Sequence, residues 1–140
     1  MNRKRWIAAS LAVFVVAMLL EALFNTYCLK TAYGQVASLW RPEGEMMKLM
    51  PIYWAAGFIV SFIFVYIYAK GCEGKSRGWA EGLRFGLWFG LFMNLTMSTF
   101  IYVAMPITPR LAVDWFITGM AEYLICGAVV GAIYKKPPTA

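Results

Sequence analysis

The sequence predicts an all-α integral membrane protein, a four-helix transmembrane bundle of two antiparallel hairpins with N and C termini cytoplasmic. Three observations predict it. The first is composition: 61% of the 140 residues are hydrophobic and only 14% charged, whereas soluble domains carry about 45–50% apolar and about 25% charged residues. The second is clustering. The apolar residues gather in four runs, 6–27, 51–69, 83–105 and 111–134, each close to the roughly 20 residues that a helix needs to cross a hydrocarbon core about 30 Å thick. None shows the period-2 alternation of a barrel strand. The third is charge asymmetry. Arg3, Lys4, Arg5, Lys70, Lys75, Arg77, Arg84, Lys135 and Lys136 fall on one side of the four runs, and Lys30, Arg41, Lys48 and Arg110 on the other. The positive-inside rule then puts both termini and the 70–82 connection in the cytoplasm. The net charge of +6 is thereby a topology signal, with some attraction to anionic lipid, and no nucleic acid partner is expected.

The elements follow in order within one transmembrane domain, 1–140. The first run has a basic lead, but it is longer than the apolar core of a signal peptide and no small-x-small site follows, so it is expected to be retained as a span. The outer loop 28–50 is the longest connection. In it, Arg41-Pro42-Glu43-Gly44-Glu45 reads as a helix start, with proline early and acidic residues in the first turn. Met46, Met47, Leu49 and Met50 give that short interfacial helix an apolar face, and Pro51 marks a kink or a junction with the second span. Gly71 opens a glycine-rich, basic connection to the third span. Between the third and fourth spans, Thr108 is placed to cap a helix with Pro109 at its first position. Asp114 stands four residues from Arg110, close enough to pair. Lys135-Lys136-Pro137-Pro138 ends the last span. Trp6, Tyr27, Tyr53, Trp54, Tyr68, Trp79, Tyr102, Trp115 and Tyr134 lie near span ends, where amphipathic rings favour the headgroup layer.

Two constellations stand out. Gly82, Gly86, Gly90, Asn94 and Ser98 recur every four residues on the third span, and Gly119, Tyr123, Gly127 and Gly131 form a stripe on the fourth. Small residues at this spacing let backbones approach where no hydrophobic effect operates between helices. Because the two spans run in opposite directions, Gly86/Gly90 and Gly127/Gly131 lie at similar depth. A close contact between these helices is expected, and a homo-oligomer interface is the competing use. The second constellation is polar. Glu122 and Asn94 fall near the midpoints of their spans, and Glu21 shares a face of the first span with Asn25 and Cys28. A charged carboxylate at the bilayer centre costs roughly 2.5–3.5 kcal/mol even on insertion scales. Glu122 is therefore expected to be protonated, hydrogen-bonded or in contact with water. At about 100° per residue, 122 and 127 are about 140° apart, so Glu122 points away from the glycine face. A Glu21–Thr118–Glu122 patch between the first and fourth spans could share a proton, as relays do. Interhelical hydrogen bonding is the plainer use of the same groups.

The composition also excludes chemistry. With no histidine, bis-histidine haem, His-metal sites and His acid–base catalysis are ruled out. Cys28, Cys72 and Cys126 are scattered and form no disulfide framework. The nine methionines could offer thioethers to Cu(I) at Met46/Met47/Met50 or Met93/Met97, but flexible apolar filling is their common role. No catalytic residue, cofactor or metal is expected.

The segments Tyr68-Ala69-Lys70-Gly71-Cys72-Glu73-Gly74-Lys75 and Glu81-Gly82-Leu83-Arg84-Phe85-Gly86-Leu87, with Leu39-Trp40-Arg41-Pro42-Glu43 and 127–135, resemble small four-helix bacterial inner-membrane proteins with no assigned function. The similarity covers about residues 30 to 135. It implies a bacterial, four-helix membrane protein and carries over no catalytic or ligand residue. The chain is thus expected to be non-enzymatic, a helix-packed subunit of a homo-oligomer or a larger membrane complex. The alternative is a small ion, proton or solute conductor that uses Glu21, Asn94 and Glu122. An enzyme acting on lipid or quinone is the third class.

Overall fold

The computed structural model describes residues 2–73 and 77–134. Lys75, Lys135, Lys136 and the proline-rich tail therefore lie outside the described residues. The chain is all-α, and four of its helices are long and apolar enough to cross a membrane. Helix α1 (Arg3–Leu23) begins at Asn2, whose side chain accepts from the Arg5 backbone N–H at 3.2 Å. It continues through one π-helical turn at Phe24–Cys28, closed by the Leu29 N–H to the Phe24 carbonyl. A short α2 (Lys30–Gln35) and a 3₁₀ turn (Ala37–Leu39) follow.

Of the two expected arrangements at Pro51, a kink or a junction, the structure has no junction: helix α3 (Glu43–Gly71) joins the segment that follows Pro42 to the second apolar run and passes through Pro51 as one element. Its 29 residues give it a length of about 43 Å, more than the roughly 30 Å thickness of a hydrocarbon core. Pro42 precedes it, with Glu43 and Glu45 in the first turn, where the helix dipole favours negative charge. Helices α4 (Gly78–Ala104) and α5 (Pro109–Ile133) complete the chain. The start of α5 is as expected: Thr108 Oγ1 accepts from the Leu111 N–H at 3.2 Å and Pro109 occupies the first turn. Arg110 Nε lies 3.7 Å from Asp114 Oδ2.

The most extensive interface joins α4 and α5, antiparallel and backbone to backbone. A methyl group on Gly82 would strike the Gly127 carbonyl oxygen, one on Gly86 the Tyr123 carbonyl oxygen, and one on Gly131 the Gly78 carbonyl oxygen. Both glycine stripes are thus occupied within one chain. Helix α1 packs on α3, also antiparallel, through Trp6 against Phe62 (ring centroids 5.1 Å apart) and Phe14 against Phe58 (5.5 Å).

For convenience, the end of the molecule that bears residues 2–5 and 134 is called the terminal end, and the other the far end. In the half toward the terminal end all four long helices converge on one core. Ala9, Val13, Phe64, Val65, Tyr68, Cys126, Val130 and Tyr134 are buried there, with Phe85 and Phe89 against them. Tyr68 and Tyr134 belong to this core, edge to face at 6.4 Å, and not to an exposed belt; Tyr68 Oη also donates to the Gly78 carbonyl at 3.5 Å. At the far end, Leu29, Ala32 and Val36 bury against Ile107 and Leu111. That contact folds residues 29–39 over the head of α5, while the far half of α3 keeps to α1. Between them lies an open cleft.

Candidate functional site

The cleft has a volume of about 1390 Å³, above the roughly 300–1,000 Å³ of common small-molecule sites. One wall is α1, with Phe14, Met18, Glu21 and Asn25; the facing wall is α3, with Met46, Met50, Tyr53 and Trp54. Tyr33, Trp40, Arg41 and Glu43 close it at the far end. The walls are mostly apolar and aromatic, and a few polar atoms converge inside, the usual make-up of a binding site.

Glu21 is the innermost charge on the walls. Tyr53 Oη donates to Glu21 Oε1 across the α1–α3 boundary. No other hydrogen bond or ion pair reaches the Glu21 carboxylate among the described residues. One turn further along α1, Asn25 Oδ1 accepts from Tyr33 Oη at 3.0 Å, and Tyr33 Oη accepts in turn from Trp115 Nε1 at 3.0 Å. This relay of donors pins α2 to α1 and α5 together. Burial pushes the Tyr33 phenol up from its usual pKa, so it remains a neutral donor. Tyr33 and Trp40 meet edge to face at 5.0 Å, with Trp115 6.2 Å from each. Asn25 itself sits in the π-helical turn, a local widening of the helix that recurs at functional positions.

The remaining polar residues divide. Glu122 is half-buried and stands about 140° around α5 from Gly127, away from the glycine face, with Glu21 and Tyr53 close enough to be felt electrostatically. Its carboxyl has no hydrogen bond among the described residues, and Tyr53, not Glu122, is the partner of Glu21. Thr118 does not bridge them: its hydroxyl is turned back to its own helix, at 2.8 Å from the Asp114 carbonyl oxygen and 3.3 Å from that of Trp115. Asn94 lies in the α4–α5 interface, where its carboxamide fills the space that a Gly119 side chain would take. Its Nδ2 is buried with no hydrogen-bond partner among the described residues. Of the five polar candidates, the structure therefore brings Glu21 and Asn25 into the cleft, places Glu122 near them, and sets Thr118 and Asn94 to packing roles.

Tyr33, Trp40, Tyr53 and Trp54 are the wall residues that the sequence did not single out as site residues. A hint was available for Tyr53 and Trp54: they stand at the start of the second span, level with Glu21 near the end of the first. Among the described residues no cluster of three or more His, Cys, Asp or Glu could hold a metal ion. No family model, curated protein or solved structure matches the chain.

Proposed function

We propose that the chain is a non-enzymatic, multi-pass protein of a bacterial inner membrane, both termini cytoplasmic, that binds a small amphipathic solute in the far-end cleft as part of its passage across the bilayer. The observation that carries the reading is the convergence of Glu21, Asn25 and Tyr53 in a cleft of about 1390 Å³ with otherwise apolar and aromatic walls. Large apolar side chains such as Trp88, Phe92, Leu95 and Val103 stand exposed on α4, which suits a lipid solvent and no aqueous one. Arg3, Lys4, Arg5, Lys70, Arg77 and Arg84 collect at the terminal end, while Lys30, Arg41, Lys48 and Arg110 belong to the far end, which supports a cytoplasmic terminal end.

The test is native mass spectrometry of the protein released from membranes, compared with Ala22→Trp, which fills the cleft from a wall position. The wild type should carry a small-molecule adduct that the variant lacks. Identical spectra for the two proteins would count against the reading.

A helix-packed subunit of a homo-oligomer or larger complex is the second reading, favoured by the open far half of α3, where Met47, Ile52 and Trp54 are exposed. The glycine stripes no longer argue for it, because α4 and α5 use them on each other. The detergent-solubilised mass and the partners retained in a pull-down from native membranes check it; a lone monomer speaks against it.

A further inference from the structure

We propose that the solute taken by the far-end cleft is a bulky lipophilic organic monocation, with Glu21 as its counter-charge and Tyr33, Trp40, Tyr53 and Trp54 as its aromatic wall. The inference rests on the reading of the cleft as a solute site and adds the ligand class. Four observations carry it.

The first is an unneutralised carboxylate. Tyr53 satisfies one oxygen of Glu21, and no Lys or Arg pairs with it among the described residues. Glu21 is half-exposed to the cleft, so its carboxylate is open to a cationic partner. The second is the sign of the field. Glu21 and Glu43 both line the cleft against a single cation, Arg41, which is exposed at the mouth. An anionic headgroup would meet the wrong potential.

The third is the aromatic content. The negative face of an aromatic ring attracts a cation, most strongly for tryptophan, and desolvated sites strengthen the attraction. Trp40 and Trp54 line the cleft and keep 40% and 49% of their surface exposed, so part of each ring is accessible to a ligand. The fourth is size and hardness. A hard cation such as Ca²⁺ or Mg²⁺ takes six or more oxygen ligands, but the inner cleft offers one carboxylate, Glu21, beside the Asn25 oxygen and the Tyr33 and Tyr53 hydroxyls, which are already engaged with one another or with Glu21. The volume and apolar walls instead fit a cation whose charge is wrapped in hydrocarbon.

Tetraphenylphosphonium and tetraphenylborate have the same shape and opposite charge, which makes them the probes. Each is titrated by equilibrium dialysis against the full-length protein in phosphatidylcholine nanodiscs, with empty nanodiscs as the baseline. Saturable binding of the cation and none of the anion is expected. Glu21→Gln should weaken the cation at least tenfold, while Glu21→Asp, which keeps the charge, should stay within a few-fold of wild type and so guards against a folding defect. Trp54→Ala should weaken the cation as well. Equal binding of both ions, or cation binding unchanged in Glu21→Gln, overturns the cation assignment; if Ala22→Trp still abolishes that binding, the solute site itself stands. Binding of neither ion overturns the cation assignment too, and the solute reading falls with it only if the wild type also lacks a native adduct.

Discussion

At the scale of single residues, polar groups inside an apolar protein matter by what they are bonded to. Among the described residues Glu21 has one donor, Tyr53. Tyr53→Phe removes that donor and leaves the carboxylate with none. Hydrogen bonds to charged groups contribute about 1.5–3 kcal/mol, and the partial exposure of Tyr53 screens this to about 1 kcal/mol. Thermal unfolding in detergent should show Tyr53→Phe less stable by that amount, whereas Glu21→Gln, which keeps an acceptor oxygen for Tyr53, should stay near wild type. Equal losses in both variants would mean that the bond does not hold α1 to α3. Asn94 poses the reverse case. Its orphaned Nδ2 pays desolvation without return, so Asn94→Ala trades lost packing for relief of an unpaired amide. The same melts should place it within about 1 kcal/mol of wild type. That Glu21 and Asn94 are special was legible from their position in apolar runs. Their partners were not, because a span gives its depth and face but not which neighbour a side chain meets.

At the scale of elements, the α4–α5 seam was readable because the information is periodic: small residues every four positions define a face on each helix. The register was not: the expected match of Gly86/Gly90 with Gly127/Gly131 is shifted by about one turn, so that Gly127 meets Gly82 and Gly86, Gly131 meets Gly78 and Gly82, and Gly90 meets Tyr123 and Met120. The seam also ranks its glycines. A methyl group at Gly82 or Gly127 would meet a backbone carbonyl oxygen of the facing helix, and backbone in two packed helices has nowhere to go. At Gly57 the nearest atom is the terminal methyl of Met18, at 3.3 Å, which a rotamer change can move. Overpacking typically costs about 1–3 kcal/mol. Gly82→Ala should reach that range or fail to assemble, while Gly57→Ala should change stability by less than about 1 kcal/mol, offset by the better helix propensity of alanine. Tm values in one detergent compare them directly. Helix α2 could not be read in the same way. Its six residues are too few for an isolated helix and show no full period. It forms because Leu29, Ala32 and Val36 find Ile107 and Leu111, over 70 residues further along the chain. The division of α3 between a packed half and an open half is equally non-local, since its apolar character is continuous from one to the other.

At the scale of the whole molecule, the question is which way the bundle faces, and one side chain can report it. Cys28 closes the π-helical turn at the far end and is exposed, while Cys72 and Cys126 are buried. A thiol reacts as its thiolate and only where reagent reaches it. The positive-inside reading puts the far end outside. A membrane-impermeant maleimide added to intact spheroplasts should therefore label the wild-type protein, and Cys28→Ser should lose that label. In denaturant both proteins should react, through Cys72 and Cys126, which shows that the missing label reflects position and not a lack of thiols. Labelling that appears only after the spheroplasts are lysed would turn the molecule over and place the cleft, with Glu21 inside it, at the cytoplasmic face. The direction in which a solute could enter from water would then be reversed, although the α4–α5 seam and the Glu21–Tyr53 bond would be unaffected.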